Sequence, residues 1–205
     1  MRHGARPRDH RLADRHPGEK SVKYTEVEQK FKLLSDPQEL KDQLTARGGK
    51  AGRPTRQVDH YYNAPHKDFL SGDVISEWLR IRIEDGISSL NFKRWYPLEE
   101  EIKTHCDEFE STVSDATAVQ HILDSLDFTK LTTVDKTREE WFIDSIAVAF
   151  DSVGDLGDFI EFEYKGEAET VEEATEKIES FIAGLDIKLG DRIHAGYPHL
   201  TLGLA

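Results

Sequence analysis

Tyr24-Thr25-Glu26-Val27-Glu28-Gln29-Lys30-Phe31-Lys32 is the stretch on which the reading of this chain turns. Read as a β-strand, it sends alternate side chains to opposite faces. Glu26, Glu28, Lys30 and Lys32 then share one face, and Val27, Phe31 and Leu33 the other. On a single strand, a solvated outer face with ion-pair ladders would look the same. What distinguishes this chain is that later strand-like segments repeat the dense ionic face.

Working outward, Asp36-Pro37-Gln38-Glu39 has the form of a helix start: a capping Asp, a Pro for the first turn and a Glu to complete a box. Leu40 and Leu44 supply its buried stripe, and Gly48-Gly49 ends it. A second strand is predicted over 56–63, followed by a loop over 65–73. The segment 77–84 alternates cleanly, with Arg80 and Arg82 on one face and Leu79, Ile81 and Ile83 on the other. Asp85-Gly86 is a tight-turn signal, so 88–95, which carries Lys93, returns as a hairpin partner. Further strands are predicted over 107–113, 132–143, 146–153 and 158–165. A helix is expected over 114–127, with Val119, Ile122, Leu123 and Leu126 on its buried side. Another begins at Thr170, with Glu173 completing a capping box, and ends at Gly184. The remainder, 185–205, reads as a loop with a final short turn.

The chain has 205 residues, enough for one sizeable domain. No apolar run is long enough to span a membrane, no signal-peptide core is present, and the single Cys106 rules out an internal disulfide framework. The expectation is a cytoplasmic protein. A formal net charge of −13 argues against general affinity for nucleic acid or anionic membrane. Residues 1–20 differ from the rest: they are rich in Arg, almost devoid of apolar residues and broken by Pro7, Pro17 and Gly18. They are expected to be a disordered basic tail, with the compact domain over 21–205. Neither Cys106 nor the histidines show a nucleophile or metal-ligand pattern, and His194 and His199 are expected at the surface. Trp78 and Trp95 are expected at a cavity mouth or in packing.

Two α+β architectures accommodate the ionic faces. One is an open antiparallel sheet with helices on one side and water on the other. The other is a closed barrel with helices outside and a wet, charged lumen, for which about eight strands suffice. Carboxylates in such a lumen suit Mg²⁺ or Mn²⁺, and Lys and Arg suit polyphosphate oxygens. No Gly-rich phosphate loop occurs, so side chains would have to bind the phosphates.

Glu26-Val27-Glu28-Gln29-Lys30 resembles the Glu-x-Glu-x-Lys signature of the CYTH superfamily, the triphosphate tunnel metalloenzymes. Asp59-His60-Tyr61-Tyr62, Leu79-Arg80-Ile81-Arg82, Asn91-Phe92-Lys93, Glu108-Phe109-Glu110, Lys136-Thr137-Arg138, Asp151 and Leu156 to Glu163 are similar to its later motifs, in the family's order. The resemblance runs from about Ser21 to Tyr197. It implies an eight-stranded antiparallel β-barrel with helices packed outside. It implies Glu26, Glu28, Asp151, Glu161 and Glu163 as ligands of Mg²⁺ or Mn²⁺. Lys30, Arg80, Arg82, Lys93, Lys136 and Arg138 would bind the triphosphate, and Glu28, Lys93, Lys136 and Glu161 would carry the chemistry. Glu108 and Glu110 would bind metal, position water or balance charge. The family includes class IV adenylate cyclases, thiamine triphosphatases and inorganic triphosphatases. Gly196-Tyr197-Pro198-His199-Leu200 is similar to the cyclase-like tail, with Gly196 where Ser is usual. The expected activity is therefore cyclase-like, converting ATP to cyclic AMP and pyrophosphate. The alternatives are hydrolysis of tripolyphosphate or thiamine triphosphate, or nucleotide binding without turnover. A homodimer is left open.

Overall fold

The computed structural model describes residues 25–204. The basic segment expected as a tail lies outside the described residues. One antiparallel sheet of 11 strands organises the chain. In order the elements are β1 (Thr25–Glu26), β2 (Glu28–Leu33), α1 (Pro37–Ala46), β3 (Lys50–Ala51), β4 (Thr55–Asn63), β5 (Glu77–Glu84), β6 (Ile87–Tyr96) and β7 (His105–Val113). Then follow α2 (Ala116–Ser125), β8 (Thr129–Ile143), β9 (Ile146–Val153), β10 (Gly157–Tyr164), α3 (Val171–Ala183), β11 (Leu189–Ile193) and α4 (Tyr197–Leu202). Strands β2 and β4 to β10 are the eight of six residues or more, as the barrel reading required. Spatially the sheet runs β1-β7-β6-β5-β4-β8-β9-β10-β2-β11.

The opening stretch brings the two ends of this sheet together. β1 pairs with β7 through Thr25 and Glu26, while β2 pairs with β10 through residues 28–32. Only Val27 separates them, and its carbonyl accepts from Tyr164 N at 3.1 Å. The sheet therefore curls until its first and last long strands meet on one segment of chain. The β5–β6 turn falls on Asp85-Gly86, with φ of 48° and 82°. Two positive φ values match the twist of a tight hairpin, and Gly86 adopts its value without a Cβ clash.

Outside the curl, α1 and α3 bury Leu40, Leu44, Ala174 and Ile178 against Val148, Phe150, Ile160 and Phe162 on the outer faces of β9 and β10. Asp36 caps α1 by accepting from Gln38 N at 2.9 Å. Thr170 caps α3 by accepting from Glu173 N at 3.1 Å, and Glu173 reaches back to Glu169 N at 3.0 Å. The α2 expectation needs correction. Only Leu123 is buried there, and Ile122 and Leu126 are more than half exposed. α2 meets the barrel through the narrower line of Ala116, Val119 and Leu123 against Tyr62 and Ile81. The C-terminal stretch is also more regular than expected. β11 pairs with β2, and α4 packs with Tyr61, Trp78, Val134 and Phe159 as an apolar floor to the lumen.

Candidate active site

The inner faces of the strands enclose a cavity of about 300 Å³. β2 contributes Glu28 and Lys30 and β1 contributes Glu26; β5 gives Arg80 and Arg82, β6 Lys93, and β7 Glu108 and Glu110. β8 adds Lys136 and Arg138, and β10 adds Glu161 and Glu163. Every one of these sits at an alternate strand position, which is why one curled sheet gathers them all. Asp151 lies just behind the wall, its side chain fully shielded from solvent. Trp78 and Trp95 line the cavity, with Tyr197 and Pro198 from α4.

The cations are held by carboxylates behind them. Arg82 donates to Asp59 through Nε at 2.7 Å and Nη2 at 2.8 Å. Arg80 is held more loosely, 3.3 Å from Asp59 and 3.5 Å from Glu108. Arg138 grips Asp151 through Nε at 2.7 Å and Nη2 at 2.5 Å, and also contacts Glu161. Asp151 further accepts from Lys136 at 3.1 Å and from the Tyr197 hydroxyl at 2.7 Å. Lys30 pairs with Glu161 at 3.1 Å and lies 4.1 Å from the centre of the Tyr197 ring. Burial acts upward on Asp59, Asp151 and Glu161, but the facing Arg and Lys side chains outweigh it and hold all three below the usual carboxylate range. Burial, with Arg138 alongside, brings the Lys136 ammonium down to about 7, against the pull of Asp151 and Glu161.

The other part of the cavity is acidic. Glu28 and Glu163 stand directly opposite each other on β2 and β10. Like charges in that register repel unless a cation lies between them. Burial raises Glu26 to about 8 against the pull of Lys93, with Glu108 and Glu163 pushing the same way. Burial raises Glu163 too, against Lys165, with Glu28 adding to the rise. Lys93 offsets part of this charge, at 2.5 Å from Glu26 and 3.2 Å from Glu108, and Lys165 lies 2.6 Å from Glu163. Among the described residues no three His, Cys, Asp or Glu side chains already stand close enough to enclose an ion. The donor set nonetheless fits a hard divalent cation. It is all carboxylate oxygen and crowded, with burial raising Glu26 and Glu163. Asp151 is placed differently: Lys136, Arg138 and Tyr197 occupy it, so it anchors cations from behind.

Three side chains of this site were missing from the sequence-based set. Asp59 opens the Asp59-His60-Tyr61-Tyr62 motif, but only the β4–β5 register, which sets it against Arg82, reveals its task. Tyr197 belongs to the Gly196-Tyr197-Pro198-His199-Leu200 tail. Gln57 carried no signal beyond its strand position. His199 departs from its expected surface place: its ring stands edge-on to Trp78 at 4.9 Å, and its Nδ1 is buried. Burial, with Lys30 and Lys103 nearby, lowers it to about 4 and keeps it neutral. Cys106 is buried with its thiol toward Glu26, and burial pushes the thiol far up, away from nucleophilic use.

No curated protein is similar enough to this sequence to match it. Solved structures do match. The PH1819 protein of Pyrococcus horikoshii OT3 is 27% identical with a TM-score of 0.70, covering 87% of this chain and 98% of its own. A proposed adenylate cyclase from Vibrio parahaemolyticus is 17% identical with a TM-score of 0.71, over 87% and 98% of the two chains, and shares the fold. A proposed adenylyl cyclase from Hippeastrum, described as having a dominant triphosphatase activity, shares the fold at 18% identity and a TM-score of 0.57, over 87% and 96%. The CYTH domain model matches residues 25–197, nearly the whole described chain, and with the curled sheet and its ionic lumen this places the protein in the CYTH domain family, whose members in general are metal-dependent and bind triphosphates.

Proposed function

We propose that this protein is a cytoplasmic, Mg²⁺- or Mn²⁺-dependent enzyme that binds a triphosphate in its lumen, and that its reaction is cyclase-like, forming cyclic AMP and pyrophosphate from ATP. The observation that carries this reading is the division of one cavity into a cationic part and a crowded acidic part. A triphosphate needs both. Arg80, the most loosely held guanidinium, binds phosphate oxygens first, followed by Lys30, Arg82 and Arg138, whose carboxylate partners keep them aimed inward. Lys93 stays charged beside Glu26 and neutralises the leaving phosphates. Trp78, Trp95 and Pro198 give the base an apolar wall.

Glu26, Glu28, Glu161 and Glu163 would hold the divalent cation. When bound, a divalent cation would offset the negative charge of these carboxylates and of the triphosphate. The ribose 3′-oxygen bonds to the α-phosphorus as the bond to the bridging oxygen breaks and pyrophosphate departs. Lys136 Nζ, whose burial beside Arg138 favours the neutral amine, accepts the hydroxyl proton.

Hydrolysis is the second reading. It is favoured by the fold shared with the Hippeastrum protein and its described triphosphatase activity. Water then replaces the ribose hydroxyl and attacks the terminal phosphorus, in the same cationic cradle. The test is to incubate the purified protein with Mg²⁺ or Mn²⁺ and, separately, ATP, tripolyphosphate and thiamine triphosphate, and to identify the products. Cyclic AMP with pyrophosphate from ATP supports the first reading, and inorganic phosphate with ADP, pyrophosphate or thiamine diphosphate, without cyclic AMP, the second. Inertness toward all three would reject both.

A further inference from the structure

Two buried polar atoms of the cavity wall have no hydrogen-bond partner among the described residues, and they are of opposite kinds. Arg80 Nε is a donor, which a phosphate oxygen satisfies. Gln57 Oε1 is an acceptor, which no phosphate oxygen can satisfy. Gln57 is 4% exposed and lines the same cavity. Its orientation is dictated by its neighbour. Nε2 donates to Glu84 Oε2 at 3.0 Å, while Thr55 donates to Glu84 Oε1 at 2.6 Å. A carboxylate offers acceptors, so turning the amide round would set two oxygens against each other. Oε1 therefore stays on the side away from Glu84.

The sheet register sets Gln57 directly opposite Lys136 on one side and Glu84 on the other. A buried acceptor left unmatched is destabilising. A donor brought by the bound substrate complex would satisfy this oxygen, in a cavity otherwise built to receive acceptors. A triphosphate chain carries no such donor; the group that attacks it does.

We infer that Gln57 positions the nucleophile: its Oε1 accepts the hydrogen bond of the O–H group that attacks phosphorus. This rests on the triphosphate reading above. The attacking group is a water or the ribose 3′-hydroxyl. Its oxygen bonds to phosphorus as the phosphorus–bridging-oxygen bond breaks; a water keeps one hydrogen on Gln57 Oε1 while the other passes to Lys136 Nζ, whereas the one hydrogen of a ribose hydroxyl turns from Gln57 Oε1 to Lys136, directly opposite on β8, as it leaves. The amide only holds the O–H in line, and misplacing a reacting group by about 1 Å costs roughly a hundredfold in rate.

The test is Gln57→Met, which keeps side-chain length and removes the acceptor, with Gln57→Leu as a second apolar replacement. Rates are measured with ATP and with tripolyphosphate at saturating Mg²⁺, and binding of α,β-methylene-ATP by calorimetry. kcat is expected to fall about ten- to a hundredfold, with KM and analogue Kd within about twofold of wild type. Loss of cyclic AMP formation identifies the ribose hydroxyl; loss of phosphate release from tripolyphosphate identifies water. Arg56→Ala, which removes an exposed ion pair with Asp135 outside the cavity, should leave kcat within about twofold. The inference is overturned by an undiminished kcat, by an equal loss in Arg56→Ala, by a weakened analogue Kd, or by both Gln57 variants failing to fold. A wild-type protein inert to every triphosphate fails differently, because it removes the functional reading itself.

Discussion

Asp59 receives the Arg82 guanidinium on both of its oxygens, at 2.7 and 2.8 Å, and is only 1% exposed. The pair is a bidentate clamp set into the barrel wall, with Arg80 leaning on the same carboxylate from 3.3 Å. Removing Asp59 leaves two guanidinium groups buried without their counter-charge. Asp59→Ala is expected to destabilise the fold by about 3–5 kcal/mol. Tripolyphosphate should restore more of the melting temperature in the variant than it adds to wild type, because phosphate oxygens replace the missing carboxylate. Thermal melts with and without tripolyphosphate check this, and equal increments in the two proteins would contradict it.

The two arginines of β5 should separate in their effects. Arg80→Ala removes a loosely tethered phosphate donor and is expected to raise KM at least about tenfold with little change in kcat or melting temperature. Arg82→Ala should also raise KM, but it strands Asp59 and so lowers the melting temperature as well. Steady-state kinetics alongside melts of both variants distinguish the two roles.

Glu26 gives the metal-free protein an alkaline weakness. Its folded-state pKa of about 8 lies above the ordinary carboxylate value. Between those two values the folded state holds a proton that the unfolded state has lost, so stability falls as pH rises. Asp59, with its pKa depressed, acts in the opposite sense: its contribution is present above the ordinary Asp range and is lost as pH falls below it. The depressed His199 and Lys136 act in the upward sense over neighbouring pH ranges and are common to wild type and Glu26→Gln, so the two proteins are compared. Metal-free wild type should lose melting temperature relative to Glu26→Gln from pH 5 to pH 8, and Mg²⁺ should narrow the gap. A difference that does not grow over that range would refute this assignment.

Chelation should abolish turnover. Glu28→Gln and Glu163→Gln should each lower metal affinity and kcat while relieving their mutual repulsion, so the metal-free variants should melt at or above the wild-type temperature. Glu161→Gln is expected to lose turnover and also stability, because it releases Lys30 and Arg138. Full activity in excess chelator would reject the metal ligands proposed here.

Much of this protein was determined locally by its sequence. Alternation at Glu26-x-Glu28-x-Lys30 and Arg80-x-Arg82 decided which side chains face inward, because strand side chains repeat every two residues whatever the partner strand. The Asp85-Gly86 turn and the caps Asp36 and Thr170 were legible because they are satisfied within a few residues. Tertiary structure decided the partners. No local pattern sets Asp59 against Arg82, gives Asp151 to Lys136, Arg138 and Tyr197, or places Gln57 between Glu84 and Lys136. Those pairings follow from strand register and from the curl that joins β1 to β7 and β2 to β10, both of which link residues far apart in the chain. The same reason explains the misread face of α2 and the unforeseen β11: a helix stripe and an edge strand take their burial from whatever surface the folded sheet presents to them.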